Sequence, residues 1–279
     1  MLVNLKTILE AAEKGNFAIP AFNVYNMETV MGVLKAAEEA KAPVIMQVYP
    51  RLMKEECGYF LSPIIKAAAE KATVPVCFHL DHGPSELETT RSIRYGATGI
   101  MLDGSTLPFE ENIALTKRVV ETCSYLDVQV EGELGHIGTT KDDSMDEFTT
   151  PEDAKRFVEE TGVACLAVAV GTAHGRYSKP PKLDIERIKA IRKATGNTAL
   201  VLHGGSGVPD EEIKKAVSAG VRKMNFATDI CYAFLDTCLE ELQKPGRAIA
   251  VDSFMKRPLD AVKEFCITRI KLVGADGKA

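Results

Sequence analysis

Short apolar runs alternate with amphipathic, helix-like stretches along the whole chain. The runs, rich in β-branched residues, lie at 17–24, 42–50, 74–82, 98–104, 127–135, 165–175, 198–207 and 221–229. Between them, as in METVMGVLKAAEEAKA and DIERIKAIRKATG, apolar residues recur every three or four positions. Nearly continuous apolar strands separated by helices are typical of a parallel sheet that is covered on both faces. The pattern therefore predicts an α/β fold.

The number of these units favours a closed barrel. An open, doubly wound sheet is the alternative, but such sheets usually have fewer strands. Barrels of about 250 residues fold as one unit, and no linker or shift in composition divides this chain of 279 residues. We therefore predict a single-domain (β/α)₈ TIM barrel over residues 1–279.

Charge and cysteine usage restrict the class of partner. The formal net charge is −5 and there is no basic patch, which argues against nucleic acid as a partner. The longest apolar run, VACLAVAV at 163–170, is too short to span a membrane. The seven cysteines are scattered and form no CxxC pair, as in proteins whose thiols stay reduced. We expect a cytoplasmic protein that binds neither nucleic acid nor membrane.

Ionisable residues collect where the predicted strands end. Asp81 and His82 end the third run, Asp103 the fourth, Glu131 and Glu133 the fifth, His174 the sixth, His203 the seventh, and residues 225–229 the eighth. The carboxyl ends of barrel strands converge on one face, which carries the active site in enzymes of this fold. We therefore expect these side chains to share one site.

Three of these residues are histidines, and three histidines with an open fourth position are a ligand set of catalytic zinc. The separations between His82, His174 and His203 indicate nothing by themselves, so the zinc prediction depends on the barrel. Two roles stay open for Asp103 and Glu133. Each is either a partner that orients a histidine or a ligand at a second metal position.

Two glycine-containing segments predict an anion site. HGGSG (203–207) and NFATD (225–229) each follow a predicted strand and precede a helix. Glycines let the backbone approach a ligand, consecutive N–H groups bind anions, and a helix N-terminus favours negative charge. Each segment alone is compatible with a tight turn. Together, after strands 7 and 8, they predict a bound phosphate, because barrels often hold one there.

The motifs around these residues are, in order, FHLDHG, MLDGS, VEGELG, VGTAHGRY, LVLHGGSG and KMNFATD. In this series, and over nearly its whole length, the chain resembles the class II, zinc-dependent ketose-bisphosphate aldolases. The stretch at 151–188, which contains GTAHG, is most similar to the tagatose-bisphosphate branch. Fructose-bisphosphate aldolases share the rest.

The resemblance implies reversible cleavage of a tagatose or fructose 1,6-bisphosphate into dihydroxyacetone phosphate and an aldehyde such as glyceraldehyde 3-phosphate. It implies one zinc ion on His82, His174 and His203, and proton transfer by Asp81. The residues implied to hold the dihydroxyacetone phosphate half are Gly175, Gly204, Gly205, Ser206, Asn225, Phe226, Ala227 and Thr228. A monovalent cation is a second candidate cofactor, and a homodimer or homotetramer is the expected assembly.

The sequence departs from the family pattern at three places. The common HGASG reads HGGSG at 203–207, a mild change. Lys141 stands where the family usually has an acidic residue, although Asp142 and Asp143 follow it. An Asp-Pro-Arg element usual near the C-terminus is missing. If that element binds the far phosphate of the sugar, either Lys256 or Arg257 replaces it or the acceptor aldehyde differs.

Three alternatives stay open at this point. The first is an aldolase that forms a Schiff base on Lys223, which lies in the predicted eighth strand. The second is an aldolase of the same family that acts on another phosphorylated ketose. The third is a non-catalytic subunit of an aldolase complex.

Overall fold

Eight parallel strands close into a barrel in chain order, β1 to β8, within the residues that the structure describes. The structure, a computed structural model, describes residues 1–54, 56–135, 137, 148–175, 177, 179–246 and 250–279. The strands are β1 Ile19–Asn23, β2 Val44–Val48, β3 Val76–Gly83, β4 Gly99–Leu102, β5 Gln129–Leu134, β6 Cys165–Val168, β7 Ala199–Leu202 and β8 Val221–Phe226. The predicted barrel is confirmed, and the open sheet is wrong.

Helices follow the strands and cover the outside of the barrel. They are α1 Leu5–Gly15, α2 Met27–Ala40, α3 Pro50–Lys54, α4 Glu56–Lys71, α5 Glu86–Arg94, α6 Phe109–Ser124, α7 Pro151–Thr161, α8 Ile185–Thr195, α9 Asp210–Ala219, α10 Thr228–Gln243, α11 Val251–Phe254 and α12 Lys256–Leu272. Helix α1 precedes the barrel and contacts β1, β3, β5 and β8, so it lies across the end opposite the predicted site. Among the described helices, none is both long and apolar enough to cross a bilayer.

Strand β6 is shorter than the run at 165–175 predicts. Beyond Val168, the backbone of Ala169 leaves the sheet and pairs with Thr149. The Ala169 N–H donates to Thr149 Oγ1 at 2.8 Å, and the Ala169 carbonyl accepts from the Thr149 N–H at 3.1 Å. The side chains of the residues that follow, including His174, therefore do not have to alternate between the two faces of the sheet.

Strand β3 carries an irregularity at its carboxyl end. Its pairing with β4 shifts register between Leu80 and Gly83, and His82 has a φ of 49°. In a regular strand, Asp81 and His82 would point to opposite faces of the sheet. Here His82 Nε2 lies 4.0 Å from Asp81 Oδ1. The left-handed residue thus allows two consecutive side chains to reach the same site.

Candidate metal and substrate site

The three histidines from β3, from the loop after β6 and from the end of β7 meet at the carboxyl end of the barrel. The ring centroids of His82 lie 4.9 Å from His174 and 4.7 Å from His203, and those of His174 and His203 are 5.8 Å apart. One ring nitrogen from each lies within 4.8 Å of the other two. Residues up to 121 positions apart in the sequence therefore form one cluster.

An acceptor binds one ring nitrogen of each histidine. The pairs are His82 Nδ1 with Asp103 Oδ2 at 2.7 Å, His203 Nε2 with Glu131 Oε1 at 2.8 Å, and His174 Nδ1 with the Ile137 carbonyl oxygen at 3.1 Å. Because ionised carboxylates and carbonyls only accept hydrogen bonds, we assign a proton to each of these nitrogens. The remaining nitrogen of each ring then presents a lone pair, as a metal ligand must.

The electrostatics of the cluster favour a cation. Burial disfavours charge on His82, but Asp81, Asp103 and Glu133 outweigh it and raise the pKa of His82 to about 10. Burial, together with the charge on His82, holds the pKa of His203 well below its usual range. Three imidazoles in a negative field suit a divalent metal, which would take the place of the proton on His82, so the residues present fit the implied zinc.

Asp103 and Glu133 have different environments. Asp103 binds His82 through Oδ2, while its Oδ1 accepts from the Ser105 N–H at 3.1 Å and from the hydroxyl at 2.7 Å. It is thus placed to orient the histidine. Glu133 Oε2 is buried without a hydrogen-bond partner among the described atoms, 3.5 Å from His203 Nδ1. Burial and the charge of Asp103 raise the pKa of Glu133 to about 8.

The Asp81 carboxylate receives a side-chain amide on each oxygen. Asn23 Nδ2 donates to Oδ2 at 2.8 Å, and Asn225 Nδ2 donates to Oδ1 at 3.2 Å. Behind them, Gln47 Nε2 donates to Asn23 Oδ1 and Lys223 Nζ donates to Asn225 Oδ1, each at 2.8 Å. The carboxylate is therefore held in a fixed orientation beside the histidines.

Lys223, the lysine of the Schiff-base alternative, is fully buried inside the barrel. Its ammonium lies 2.8 Å from Glu131 Oε2 and does not line the cleft at the histidines. A Schiff base needs an uncharged amine that a substrate carbonyl can reach. This geometry does not support that alternative.

A narrow cleft runs from the histidines to the loops after β7 and β8. It is lined by Asn23, Tyr49, Asp81, His174, Gly175, Gly204, Ser206, Asn225, Ala227 and Thr228. Six of the eight residues predicted to hold the phosphate half are in this lining, and Gly205 and Phe226 are not. A larger groove of about 640 Å³ lies at the other end of the barrel, between α1 and the starts of β6 and β7, far from this chemistry.

Gly205 and Phe226 support the cleft from behind. The Gly205 N–H donates to the Asn225 carbonyl at 3.1 Å, and a Cβ at Gly205 would lie 2.8 Å from that oxygen. The Phe226 ring is fully buried, with its centroid 5.8 Å from that of Phe22. Neither the Gly205 N–H, which is bonded to Asn225, nor the Phe226 ring offers a hydrogen-bond donor to a ligand.

The start of α10 forms the far wall of the cleft. Its N-cap, Ala227, makes no side-chain hydrogen bond to the first turn, so the capping acceptor comes from another loop. Ser206 Oγ accepts from the Asp229 N–H at 3.2 Å, which ties the two loops together. Gly204 has a φ of 65°, and a Cβ there would clash with the Ala173 carbonyl. This wall is suited to an anion.

The sequence analysis missed Asn23, Gln47 and Tyr49. All three lie at the carboxyl ends of β1 and β2, and polar residues at those ends are the same signal that identified the other strands. Tyr49 stacks on His82 with ring centroids 6.3 Å apart. The two first strands thus contribute to the site as well.

The candidates for the far phosphate lie elsewhere. Neither Lys256 nor Arg257 lines the cleft, and Arg257 Nη1 instead lies 3.2 Å from Glu264 Oε1 on the surface of α12. Residues 141–143 lie outside the part of the chain that the structure describes. A group that binds a far phosphate is thus not identified among these candidates.

Comparisons with known proteins agree with this geometry. The family model "Fructose-bisphosphate aldolase class-II" matches residues 3–278. The crystal structure of the YdjI aldolase from Escherichia coli K12 is 39% identical in sequence, with a TM-score of 0.90 over 100% of both chains. The fructose-bisphosphate aldolase Fba from Campylobacter jejuni is 25% identical, with a TM-score of 0.83 over 100% of this chain and 97% of that one.

Proposed function

The chain belongs to the class-II fructose-bisphosphate aldolase family, and from this we propose that it uses zinc to cleave a tagatose or fructose 1,6-bisphosphate reversibly. The products would be dihydroxyacetone phosphate and glyceraldehyde 3-phosphate. One observation carries the proposal. Three histidines bring one ring nitrogen each within 4.8 Å of the others beside a carboxylate, at the mouth of a cleft that ends on a helix N-terminus.

His82, His174 and His203 would hold the zinc ion. When bound, zinc supplies Lewis-acid polarisation of the ketose carbonyl and stabilises negative charge that develops beside it. The protein fixes the ligands from behind through Asp103 and Glu131, so the rings are oriented before substrate arrives.

Asp81 would act as the base for cleavage. It takes the proton of the C4 hydroxyl while the C3–C4 bond breaks, and the bonding electrons pass to the enediolate of the dihydroxyacetone phosphate half. In condensation, Asp81 returns that proton to the oxygen of the acceptor aldehyde. The amides of Asn23 and Asn225 hold both carboxylate oxygens during this exchange.

A second carboxylate would exchange the proton at C3 of dihydroxyacetone phosphate. Glu133 is our candidate, because its Oε2 is buried, has no described hydrogen-bond partner and lies next to the histidines. A pKa raised by burial allows a carboxyl to carry a proton near neutral pH. Asp142 and Asp143, outside the described residues, are the other candidates.

The phosphate of the dihydroxyacetone half would bind at the far wall of the cleft. Gly175, Gly204, Ser206 and Thr228 line the cleft, and the α10 N-terminus at its far wall favours an anion. Asn225, Ala227 and the close-packed Gly205 and Phe226 would shape it. A monovalent cation remains a candidate here for balancing the phosphate charge.

We propose that the protein is a homodimer or homotetramer that packs through α10. Of the 16 residues of this helix, only Ile230 and Thr237 are buried. Leu235, Leu239 and Leu242, spaced by four and three positions, are 59%, 55% and 53% exposed. Such a spacing is the stripe with which one helix packs on another, so a second copy is the occupant that we propose.

A cytoplasmic location is also proposed. Its support is the state of the cysteines, since all seven are free thiols in the structure. Four of them, Cys77, Cys123, Cys165 and Cys266, are buried. A reducing compartment suits this usage.

The test is a cleavage assay on the purified single chain with fructose, tagatose and related 1,6-bisphosphates. Activity that a chelator removes and zinc restores supports the proposal, whereas borohydride trapping of substrate would support the lysine mechanism. Another phosphorylated ketose is the second candidate substrate, because neither Lys256 nor Arg257 lines the cleft. No cleavage by the single chain would favour a non-catalytic subunit.

A further inference from the structure

Lys223 is a fully buried cation that the proposed mechanism does not use. It projects from β8 into the barrel, where its Nζ lies 2.8 Å from Glu131 Oε2 on β5. Strands β5 and β8 are not neighbours in the barrel, so this ion pair spans the interior. The same Nζ donates to Asn225 Oδ1 at 2.8 Å.

The lysine determines which way the Asn225 amide faces. An ammonium group has only donors, so Asn225 must turn its oxygen toward Lys223. The amide nitrogen then faces the opposite side, where it donates to Asp81 Oδ1 at 3.2 Å. With the ammonium removed, the Asn225 oxygen loses this donor, and the contact to Asp81 alone then sets the direction of the amide.

The other oxygen of Asp81 is held less strictly. Asn23 donates to it, and Gln47 Nε2 donates to Asn23 in turn. Gln47 can offer either a donor or an acceptor by rotating its own amide, and its Oε1 is buried without a partner in the described structure. Lys223 cannot reverse its role in this way, so it is the more rigid of the two supports.

We infer that Lys223 is a positioning residue, which acts through the Asn225 amide to fix the direction of the Asp81 carboxylate toward the substrate. The inference rests on the proposed role of Asp81. Glu131 keeps the ammonium in place and also accepts from His203, so the same pair links the proposed base to one proposed metal ligand.

The test is a double-mutant cycle between Lys223→Met and Asp81→Asn. It is made in a Glu131→Gln background, because removing the lysine alone would leave a buried, unpaired carboxylate. The glutamine oxygen can still accept from His203. If Glu131→Gln alone abolishes turnover, the same cycle is made with Glu131 present, and refolded fraction and zinc content are measured on each protein.

Arg222 provides the matched control. It is the preceding residue of β8 and is also buried, but it lies on the other face, where its Nε is 3.3 Å from Glu13 Oε2 on α1. Arg222→Met should lower the melting temperature and leave kcat unchanged. It therefore separates the loss of a buried cation on this strand from the loss of the contact to Asn225.

With Asp81 present, adding Lys223→Met should lower kcat roughly 10–100-fold, the loss expected when a reacting group is misplaced by about 1 Å. KM and zinc content should stay within about threefold, because the contact acts on a group that transfers a proton. With Asp81→Asn, adding Lys223→Met should change kcat less than about twofold, since residues that act as one unit are not additive.

Three results would overturn the inference while leaving the proposed function intact. The first is an equal loss of kcat with and without Asp81. The second is no loss of kcat, and the third is a loss accompanied by zinc release. By contrast, normal turnover of Asp81→Asn alone would remove the proposed role of Asp81 itself, whatever Lys223 does.

Discussion

His82 Nε2 and His203 Nδ1 face each other across 3.1 Å. The other nitrogen of each ring is bound to a carboxylate, so both facing atoms present lone pairs when the rings are neutral. Two lone pairs at this distance repel, so either a proton on His82, whose pKa is raised to about 10, or a metal ion has to lie between them. Two nitrogens on one tetrahedral zinc, each at about 2.0–2.1 Å, are about 3.3 Å apart. The separation therefore fits a shared metal ion.

The first prediction concerns that metal. Purified protein should contain about one zinc ion per chain, and His174→Ala should lose both zinc and activity, because three ligands barely define a site. Metal content by mass spectrometry and turnover are measured on the same preparation. Thr172→Ala, in the same loop, is the control and should retain both. A fully active, metal-free preparation would contradict the prediction.

The second prediction concerns Asp81. Because Asp81 is not expected to be a principal zinc ligand, Asp81→Asn should keep zinc and the fold while cleavage slows by roughly 10²–10⁴-fold, the usual contribution of a positioned acid or base. Zinc content, melting temperature and kcat are measured together. If Asp81 only braces His82, zinc is lost with activity. Near-normal turnover with zinc retained excludes a catalytic role.

The third prediction concerns the two phosphates of the substrate. The near phosphate is proposed to bind at the start of α10, whereas the Asp-Pro-Arg element is missing and Arg257 pairs with Glu264 instead. We expect kcat/KM to fall more when the C1 phosphate is removed than when the C6 phosphate is removed. Equal losses for a ketose 1-phosphate and a ketose 6-phosphate would show that a far-phosphate site exists.

The fourth prediction concerns assembly. Leu239→Glu places a charge in the middle of the exposed stripe of α10, so it should shift the oligomer to monomer with little change in melting of the barrel. Leu126→Glu is the control, since Leu126 is 54% exposed and Leu239 is 55% exposed. Light scattering after size exclusion gives the mass. An unchanged oligomer in Leu239→Glu would exclude α10 as the interface.

The barrel was predictable because its strands are buried on both faces and so read as apolar runs. The same pattern identified Asp81, His82 and Asp103 as candidate site residues, because the carboxyl ends of barrel strands converge on one face. The end of β6 was not predictable. It depends on Ala169 pairing with Thr149, a contact between residues that no local pattern connects.

The hydrogen bonds that hold the site residues from behind could not be predicted from the sequence either. Two of these contacts are the hydrogen bonds of His203 with Glu131 and of Lys223 with Asn225. Both depend on which inward-facing side chains lie at the same height along the barrel axis. Strand periodicity gives the face of a side chain but not its level across the barrel. From the sequence, Lys223 was therefore a candidate for a Schiff base, whereas in the structure its ammonium is paired with Glu131 and Asn225.

The left-handed backbone at His82 has a consequence for how this protein resists unfolding. A residue with a side chain loses about 1–2 kcal/mol in that conformation, and glycine loses almost nothing. With a φ of 49° at a ligand position, the chain keeps an imidazole where the backbone alone would prefer glycine. Part of the conformational strain of this barrel thus lies at His82, the residue proposed to bind the metal. A metal ion that binds only the folded state would stabilise that state by mass action and so offset this cost.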